Sequence, residues 1–244
     1  MAGNLDLDTL RHDVASGAID TVVVCMVDMQ GRLIGKRVTG HYFLDQVVNE
    51  MHCCDYLLAV DLEMEPVPGY QAASWDLGYG DFAIRPDLAT LRRIPWLEGT
   101  ALVLGDVVDH DGHDLPHSPR GILKRQLARA KEMGFAVYMA SELEFYVFDE
   151  PFNTARTKRY RELKSAGWYI EDYHIFQTTK EESLMRAIRN GMMPRASRWS
   201  SRRASGARAK RSSTSNTPKR SRWRTAMRST RTPSRRSPGC RARP

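Results

Sequence analysis

The chain has 244 residues, with 37 Lys and Arg against 29 Asp and Glu, and a formal net charge of +8. The charge is divided unevenly, because residues 1–194 carry all the acids and a net charge of −9, whereas residues 195–244 carry 17 bases and no acid. Every apolar run is far shorter than the roughly 20 residues of a membrane span, and the first residues lack a signal-peptide pattern. The four cysteines show no disulfide framework or metal spacing, so we expect a cytoplasmic protein in which adjacent Cys53 and Cys54 are small buried side chains.

The N-terminal part of the chain predicts a mixture of helices and strands. Apolar residues at helical spacing indicate a helix over Leu5–Gly17. The β-branched run Thr21–Asp28 indicates a strand, and Arg32–Thr39 is its expected hairpin partner. Further along we expect a short helix at His41–Glu50, a functional loop rich in Gly, Pro and aromatic residues at Glu65–Gly80, and strands at Phe82–Ile84 and Ala101–Val108.

The later part of the chain begins with its best-defined helix, Pro119–Met133. Ser118 suits the N-cap, proline suits the first helical position, and Gly134 suits the residue after the end. The apolar stripe of this helix consists of Ile122, Leu123, Leu127, Ala130 and Met133. We expect a strand over Phe135–Phe148 and a helix over Glu181–Gly191. This mixture of hairpins and strand–helix units predicts an α+β protein.

Two carboxylates in the sequence Ser141-Glu142-Leu143-Glu144-Phe145 form the most pointed chemical feature. Side chains alternate along a strand, so Glu142 and Glu144 share one face, and Leu143, Phe145 and Val147 share the face that anchors the strand. With a rise of about 3.3 Å per residue, the two glutamates lie about 7 Å apart. Mg²⁺ or Mn²⁺, which prefer hard oxygen ligands, would relieve their repulsion. A solvated outer face explains the pair without a metal.

Several motifs follow one another in a fixed order between Gly78 and Phe148. They are the Pro-Asp-x-x-Thr stretch Pro86–Thr90, a strand ending at Asp106, the helix start Ser118-Pro119-Arg120, and the Glu-x-Glu-Phe strand Glu142–Phe145. Together they resemble the glutamine synthetase family, and Val27-Asp28-x-x-Gly31 resembles its first hairpin. The resemblance covers Leu7–Met192. Its specificity lies in the order of the motifs, since each motif alone is weak.

The resemblance implies a domain organisation and a chemistry. Residues 1–108 would form a β-grasp-like N-terminal domain, residues 109–193 the first part of a glutamine-synthetase-type catalytic domain, and residues 194–244 a disordered basic tail. The family uses ATP and Mg²⁺ or Mn²⁺ to phosphorylate the γ-carboxylate of glutamate, and an amine then displaces phosphate. Glu142 would hold the ion that bridges the ATP phosphates, and Glu144 the ion near the amino-acid substrate. The family forms homo-oligomeric rings, which implies copies of the chain as partners.

The loop before Asp81 departs from the family pattern. Classical members carry Asp-Gly-Ser-Ser there, and that aspartate helps to bind ammonium, whereas this chain reads Gly-Tyr-Gln-Ala-Ala-Ser-Trp-Asp-Leu-Gly-Tyr-Gly over 69–80. The loop is more similar to divergent relatives that join glutamate to larger amines. Ammonia, a polyamine and an ethanolamine-like amine therefore remain alternatives as the acceptor. Asp81 is the acidic residue that we expect to serve the amine.

Three histidines and three aspartates lie within the nine residues Asp109–His117. A metal site is one interpretation of this cluster. However, the residues straddle an Asp-Gly turn at Asp111-Gly112, and no ligand of the resembled family corresponds to them. We therefore expect a solvated hairpin.

The composition of residues 195–244 allows no core, because it includes 15 Arg and 11 Ser but no Leu, Ile, Val or Phe. Such a segment is expected to be disordered. It is either a nucleic-acid-binding arm or the product of coding DNA that is translated out of frame after Met193. In a shifted reading frame, codons for Arg195–Gly206 can encode Gly-Ile-Pro-Val-Glu-Phe-Ala-Lys-Gly-Glu-Trp-Gly. Codons for Arg224–Thr232 can likewise encode Asp-Arg-His-Ala-Val-Tyr-Lys-Asn. Both segments are family-like and stand in the family's order, so we favour a frameshift.

Two functions from different classes follow from the sequence. The first is an ATP-dependent glutamate–amine ligase, of which this chain retains Glu142 and Glu144 and lacks the metal and substrate residues expected later in the family. We therefore expect negligible activity from the 244-residue chain. The second is a nucleic-acid-binding protein that acts through Arg195–Arg243. The sequence identifies neither a catalytic residue nor the residues that bind ATP.

Overall fold

The computed structural model describes residues 3–70, 73, 78–139, 141–192, 199–204 and 210–215. The side chains of Ser141, Glu142 and the last two segments lie outside this description. The described residues form two compact units: 3–137 with 181–192, and 138–180 with the segments beyond residue 198. Of the helices described, none has the length and apolar character needed to cross a membrane.

A mixed six-stranded sheet forms the centre of the first unit. Its strands are β1 Thr21–Val27, β2 Leu33–Thr39, β3 Met51–Cys54, β4 Asp81–Pro86, β5 Arg92–Arg93 and β6 Thr100–Val108. The strand order is β2-β1-β6-β4-β3, and β5 pairs with β6. β1 and β6 run parallel, with Thr21 opposite Thr100, and the other pairs are antiparallel. This arrangement confirms the expected β-grasp-like domain of an α+β protein.

The hydrophobic core of the first unit packs this sheet against its N-terminal helices. α1 (Leu7–Ala15) contributes Leu10, and the short α2 (Gly40–Tyr42) continues into a π-helical turn that contributes Phe43. No residue of β1 is exposed: four of its seven positions are buried and three are half-buried. Each fully buried large apolar side chain contributes about 1.5–3 kcal/mol. All the residues of this core, and those packed against it, lie within the first 115 positions.

Helix α3 (Pro119–Glu132) begins against this sheet and has almost the predicted bounds. Ser118 is buried at its N-terminus, and Gly134 has a φ of +81°, which suits a helix end. Arg120 forms ion pairs with Asp87 and with Asp106, which join the helix to the segments after β4 and within β6. The apolar stripe of α3 is exposed.

The second unit contains β7 (Ser141–Tyr146) and a hairpin of β8 (Trp199–Ala204) and β9 (Lys210–Ser215). β9 lies between β7 and β8, and both pairs are antiparallel. Two short helices, α4 (Phe152–Thr157) and α5 (Ile175–Lys180), belong to the same unit. The last helix, α6 (Glu182–Gly191), belongs to the first unit and agrees with its predicted bounds.

Two segments of the basic tail lie within the described residues, as the strands β8 and β9. β9 pairs with β7, and β8 pairs with β9. The edge of a strand offers backbone donors and acceptors, so a hairpin can add to it without apolar side chains of its own. The remaining positions of the predicted tail (194–198, 205–209 and 216–244) lie outside the described residues.

Other local predictions need correction. The strand predicted over Phe135–Phe148 is limited to Ser141–Tyr146, and Phe135 is 60% exposed rather than paired within a sheet. The helix predicted over His41–Glu50 ends early, and the missed strand β3 follows it. Because side chains alternate along β3, Cys53 is buried but Cys54 is exposed.

Candidate functional site

Strand β7 carries the Glu-x-Glu pair that the sequence predicts to bind metal ions. The strand is regular over both positions, so backbone alternation assigns residues 142 and 144 to one face. Glu144 is exposed and lies opposite Ser212. Leu143 is 65% exposed, so the opposite face is not the buried anchor that the sequence suggested. The donor chemistry of the pair fits Mg²⁺ or Mn²⁺.

An acidic cleft of about 440 Å³ lies in the first unit, where β4 begins. Asp55, Asp81 and Asp109 line it together with two histidines and with Leu115 and Pro116. None of its lining residues is a Lys or an Arg, so the cleft attracts cations. Asp81, which the sequence singled out, is therefore part of a concave acidic surface, in a different compact unit from Glu142 and Glu144.

Asp55 is a residue of this cleft that the sequence analysis missed. Its backbone N–H donates to the carbonyl of Gly80 at 3.0 Å, and its Oδ2 accepts from the N–H of Gly80 at 3.0 Å. Its Oδ1 is buried and lacks a hydrogen-bond partner in the part of the chain that the structure describes. An unpartnered buried oxygen is costly in free energy unless a donor reaches it. No sequence spacing links Asp55 to Asp81; the antiparallel pairing of β3 with β4 does so.

His117 is a second residue of the cleft to which the sequence gave no role of its own. Burial lowers the pKa of His117, which keeps its ring neutral near pH 7. A neutral ring adds no positive charge beside the three carboxylates. His117 therefore leaves the acidic character of the cleft intact.

The hairpin after β6 gathers Asp109, Asp111 and His113, whose potential ligand atoms lie within 4.8 Å of one another. Oδ1 of Asp109 accepts from the backbone N–H of His113 at 2.8 Å and of Asp111 at 3.0 Å. These hydrogen bonds, led by that of His113, hold the pKa of Asp109 below its usual value. These hydrogen bonds stabilise the turn.

Comparison with known families and proteins gives matches along most of the chain. The family model described as glutamine synthetase, catalytic domain, matches residues 116–204, which include α3 and β7. The chain is 48% identical over 189 residues to gamma-glutamylethanolamide synthetase GlnA4 of Streptomyces coelicolor, covering 77% of this chain and 41% of that protein. It is 31% identical over 184 residues to the glutamate–isopropylamine ligase of a Pseudomonas species, covering 75% of this chain and 40% of that protein.

Solved structures share the fold of the chain. The structure described as "Apo GmaS without ligand" matches with a TM-score of 0.66 at 19% identity, over 86% of this chain and 45% of that one. A crystal structure of a novel glutamine synthase homolog matches with a TM-score of 0.66 at 14% identity, over 81% of this chain and 43% of that one. The chain therefore spans about two fifths of the length of the curated relatives that it matches.

Proposed function

Because the chain belongs to the glutamine synthetase family, we propose that it is part of an ATP-dependent ligase that joins the γ-carboxylate of glutamate to an amine. The observation that carries this proposal is the 48% identity over 189 residues to a protein named as a gamma-glutamylethanolamide synthetase. The reaction would pass through γ-glutamyl phosphate, which the amine then attacks. Such phosphoryl transfer depends mainly on positioning and charge neutralisation. A cytoplasmic ring of identical subunits belongs to the same proposal.

An amine larger than ammonia is the acceptor that we propose. Two relatives at or above 30% identity are named for ethanolamide and isopropylamine products or substrates. The loop over 69–80, which departs from the Asp-Gly-Ser-Ser of classical members, supports the same choice. The acidic cleft at Asp55 and Asp81 offers carboxylates for the positive charge of the amine, and Leu115 and Pro116 offer apolar surface for its carbon chain.

Glu142 and Glu144 are the residues that we propose to hold the metal ions. When bound, Mg²⁺ or Mn²⁺ would neutralise the phosphates of ATP and the charge that develops during transfer. The two glutamates supply hard oxygen donors on one face of β7.

We also propose that the chain beyond Met193 is a product of a shifted reading frame. Its support is the change in composition, from 29 acids before residue 183 to none after it, and the two family-like segments that the shifted register can encode. The family match continues past Met193 to residue 204 in the present frame, which a shift at Met193 does not explain. Replicate sequencing of the gene across the codon for Met193 tests this point. Reads in which the frame after Met193 encodes the family-like segments support the proposal. Reads that keep the present frame through residue 244 contradict it.

The rival function, nucleic-acid binding through Arg195–Arg243, rests on the 17 bases of the tail. Any such polycation binds DNA in a salt-dependent manner, so such binding would be meaningful only if sequencing of the gene confirmed the tail.

The direct test of the ligase is amine-dependent ADP release by a protein in which the reading frame is restored after Met193. We expect ADP release to require glutamate and to be faster with ethanolamine than with ammonia. Equal or greater release with ammonia would contradict the proposed acceptor.

A further inference from the structure

An ammonium group in the second unit is held by two aromatic rings and an amide. Nζ of Lys180 lies 4.3 Å from the centre of the Trp168 ring and 5.4 Å from that of Phe176. The same Nζ donates a hydrogen bond to Oε1 of Gln177 at 2.9 Å. Both ring distances are within the roughly 6 Å at which a ring face attracts a cation. We call Trp168, Phe176 and Gln177 the ammonium cage.

Helix α5 brings two members of the cage beside Lys180. Residues three and four positions apart on a helix are neighbours, which places Gln177 and Phe176 next to it. The amide of Gln177 is only 5% exposed, and its Nε2 donates to the hydroxyl of Tyr169. That hydroxyl is also hydrogen-bonded to Nδ1 of His174 at 3.0 Å. Because the amide nitrogen is engaged in this way, Oε1 is held as an acceptor that faces the ammonium.

The ring faces of the cage are accessible to solvent. Trp168 is 73% exposed, Phe176 is 64% exposed, and Lys180 is exposed as well. Exposed side chains exchange between rotamers on the picosecond to nanosecond timescale, so the lysine leaves the cage and returns. While Lys180 is outside, the rings offer attraction for a positive charge and Oε1 of Gln177 offers an acceptor for an N–H.

We propose that the ammonium cage binds primary alkylammonium ions and that Lys180 is an intramolecular competitor for it. The side chain of lysine beyond Cα has the composition of n-butylammonium, so the resident group defines the size and charge that the cage accepts. A neutral alcohol of the same length lacks the charge that the rings attract. The cage belongs to a different compact unit from the acidic cleft. The inference does not depend on the proposed function, because binding is measured without ATP or glutamate.

Occupation by Lys180 weakens the binding of a free amine. A ligand that needs an open site has an apparent Kd that is raised in inverse proportion to the open fraction. Lys180→Ala removes the competing ammonium and its carbon chain, and alanine remains a good helix former. The space that this variant leaves matches n-butylammonium, which is therefore the probe.

A ligand-observed NMR titration of the full 244-residue chain with n-butylammonium tests the proposal. We expect the Kd of the Lys180→Ala variant to be at least about 10-fold lower than that of the unchanged chain. Lys131→Ala removes an exposed lysine from α3 and is the matched control, which should leave the Kd unchanged. n-Butanol should not bind to Lys180→Ala. Circular dichroism of each variant verifies that its secondary structure is retained.

A second substitution assigns the gain in affinity to the cage. In the Lys180→Ala background, Trp168→Leu removes the closer ring and should weaken binding at least about 5-fold, as for the loss of a cation–π contact. The acidic cleft is the same in all these variants, so any probe bound there contributes equally to each titration. Equal Kd values for the unchanged chain and Lys180→Ala would overturn the proposal. A gain that persists after Trp168→Leu, or equal binding of n-butanol, would also overturn it.

Discussion

Arg120, at the start of α3, forms an ion pair with Asp87, which lies 33 positions earlier in the chain. The same guanidinium donates to Oδ1 of Asp106 at 3.0 Å, and Lys124 also pairs with Asp106. Asp87, Asp106 and Arg120 belong to the Pro-Asp-x-x-Thr, strand-end and Pro-Arg motifs, respectively. Motifs that are separate in the sequence therefore meet in one charge network, which attaches α3 to the sheet.

Removal of this guanidinium should destabilise the first unit. Arg120→Ala leaves the half-buried Asp87 without this cation and leaves Asp106 with Lys124. We expect a loss of about 1–3 kcal/mol in the free energy of unfolding, since a half-buried carboxylate loses its charged hydrogen bond. Denaturant titration measures it. Arg129→Ala, an exposed position of the same helix, is the control and should change stability by less than about 0.5 kcal/mol.

The same network should make stability sensitive to acid. Burial would raise the pKa of Asp87, but the hydrogen bond and charge of Arg120 hold it below the usual value of 3.8. A carboxylate whose pKa is lower in the folded state adds stability above about pH 4 and loses it as the pH falls through the folded value. The denaturant concentration at the midpoint of unfolding should therefore decrease as the pH is lowered below about 4. The decrease should be less steep in Arg120→Ala. Parallel pH profiles for the two proteins would show that Asp87 does not depend on Arg120.

Asp28 should be the most sensitive carboxylate of the first hairpin. Its side chain is fully buried, and it accepts hydrogen bonds from the N–H of Gln30 at 2.9 Å, from the N–H of Arg32 at 2.7 Å and from Nε of Arg32 at 2.6 Å. Asp28→Ala removes all three, and we expect a loss of about 2–4 kcal/mol. Asp8→Ala, which breaks an exposed pair with Arg11, should cost less than about 1 kcal/mol. Thermal unfolding compares the two variants, and equal losses would contradict this assignment.

The acidic cleft should affect the amine rather than glutamate. In the frame-restored protein, Asp81→Asn removes one of the carboxylates that line the cleft. We expect the KM for the amine to rise at least about 10-fold, as for the loss of a charged hydrogen bond, while the KM for glutamate stays unchanged. Asp114→Asn, an exposed aspartate outside the lining of the cleft, is the control. An equal rise in both KM values would assign Asp81 a structural role.

The sequence predicts the local elements of the first unit well, and its failures have a common cause. Pro119 and Gly134 are local signals, and α3 begins and ends close to where they place it. The parallel pairing of β1 with β6 and the approach of Asp55 to Asp81 depend on tertiary contacts, for which no local pattern exists. Likewise, the apolar stripe of α3 predicts a buried face, but burial depends on what packs against it.

The Glu-x-Glu pair shows how far sequence reasoning reaches into the site. Alternation along a strand places Glu142 and Glu144 on one face, and the structure has a strand there. The resemblance implies that the ligands completing each metal site follow later in the family's sequence. The metal assignment of both glutamates therefore stays a prediction.

A γ-glutamyl hydroxamate assay, run in parallel on the 244-residue chain and on the frame-restored protein, tests the central claim most directly. It reports ATP-dependent transfer of glutamate to hydroxylamine. We predict turnover by the frame-restored protein, its loss in the Glu144→Gln variant, and negligible turnover by the 244-residue chain. Turnover by the 244-residue chain equal to that of the frame-restored protein, or no turnover by either, would contradict the account.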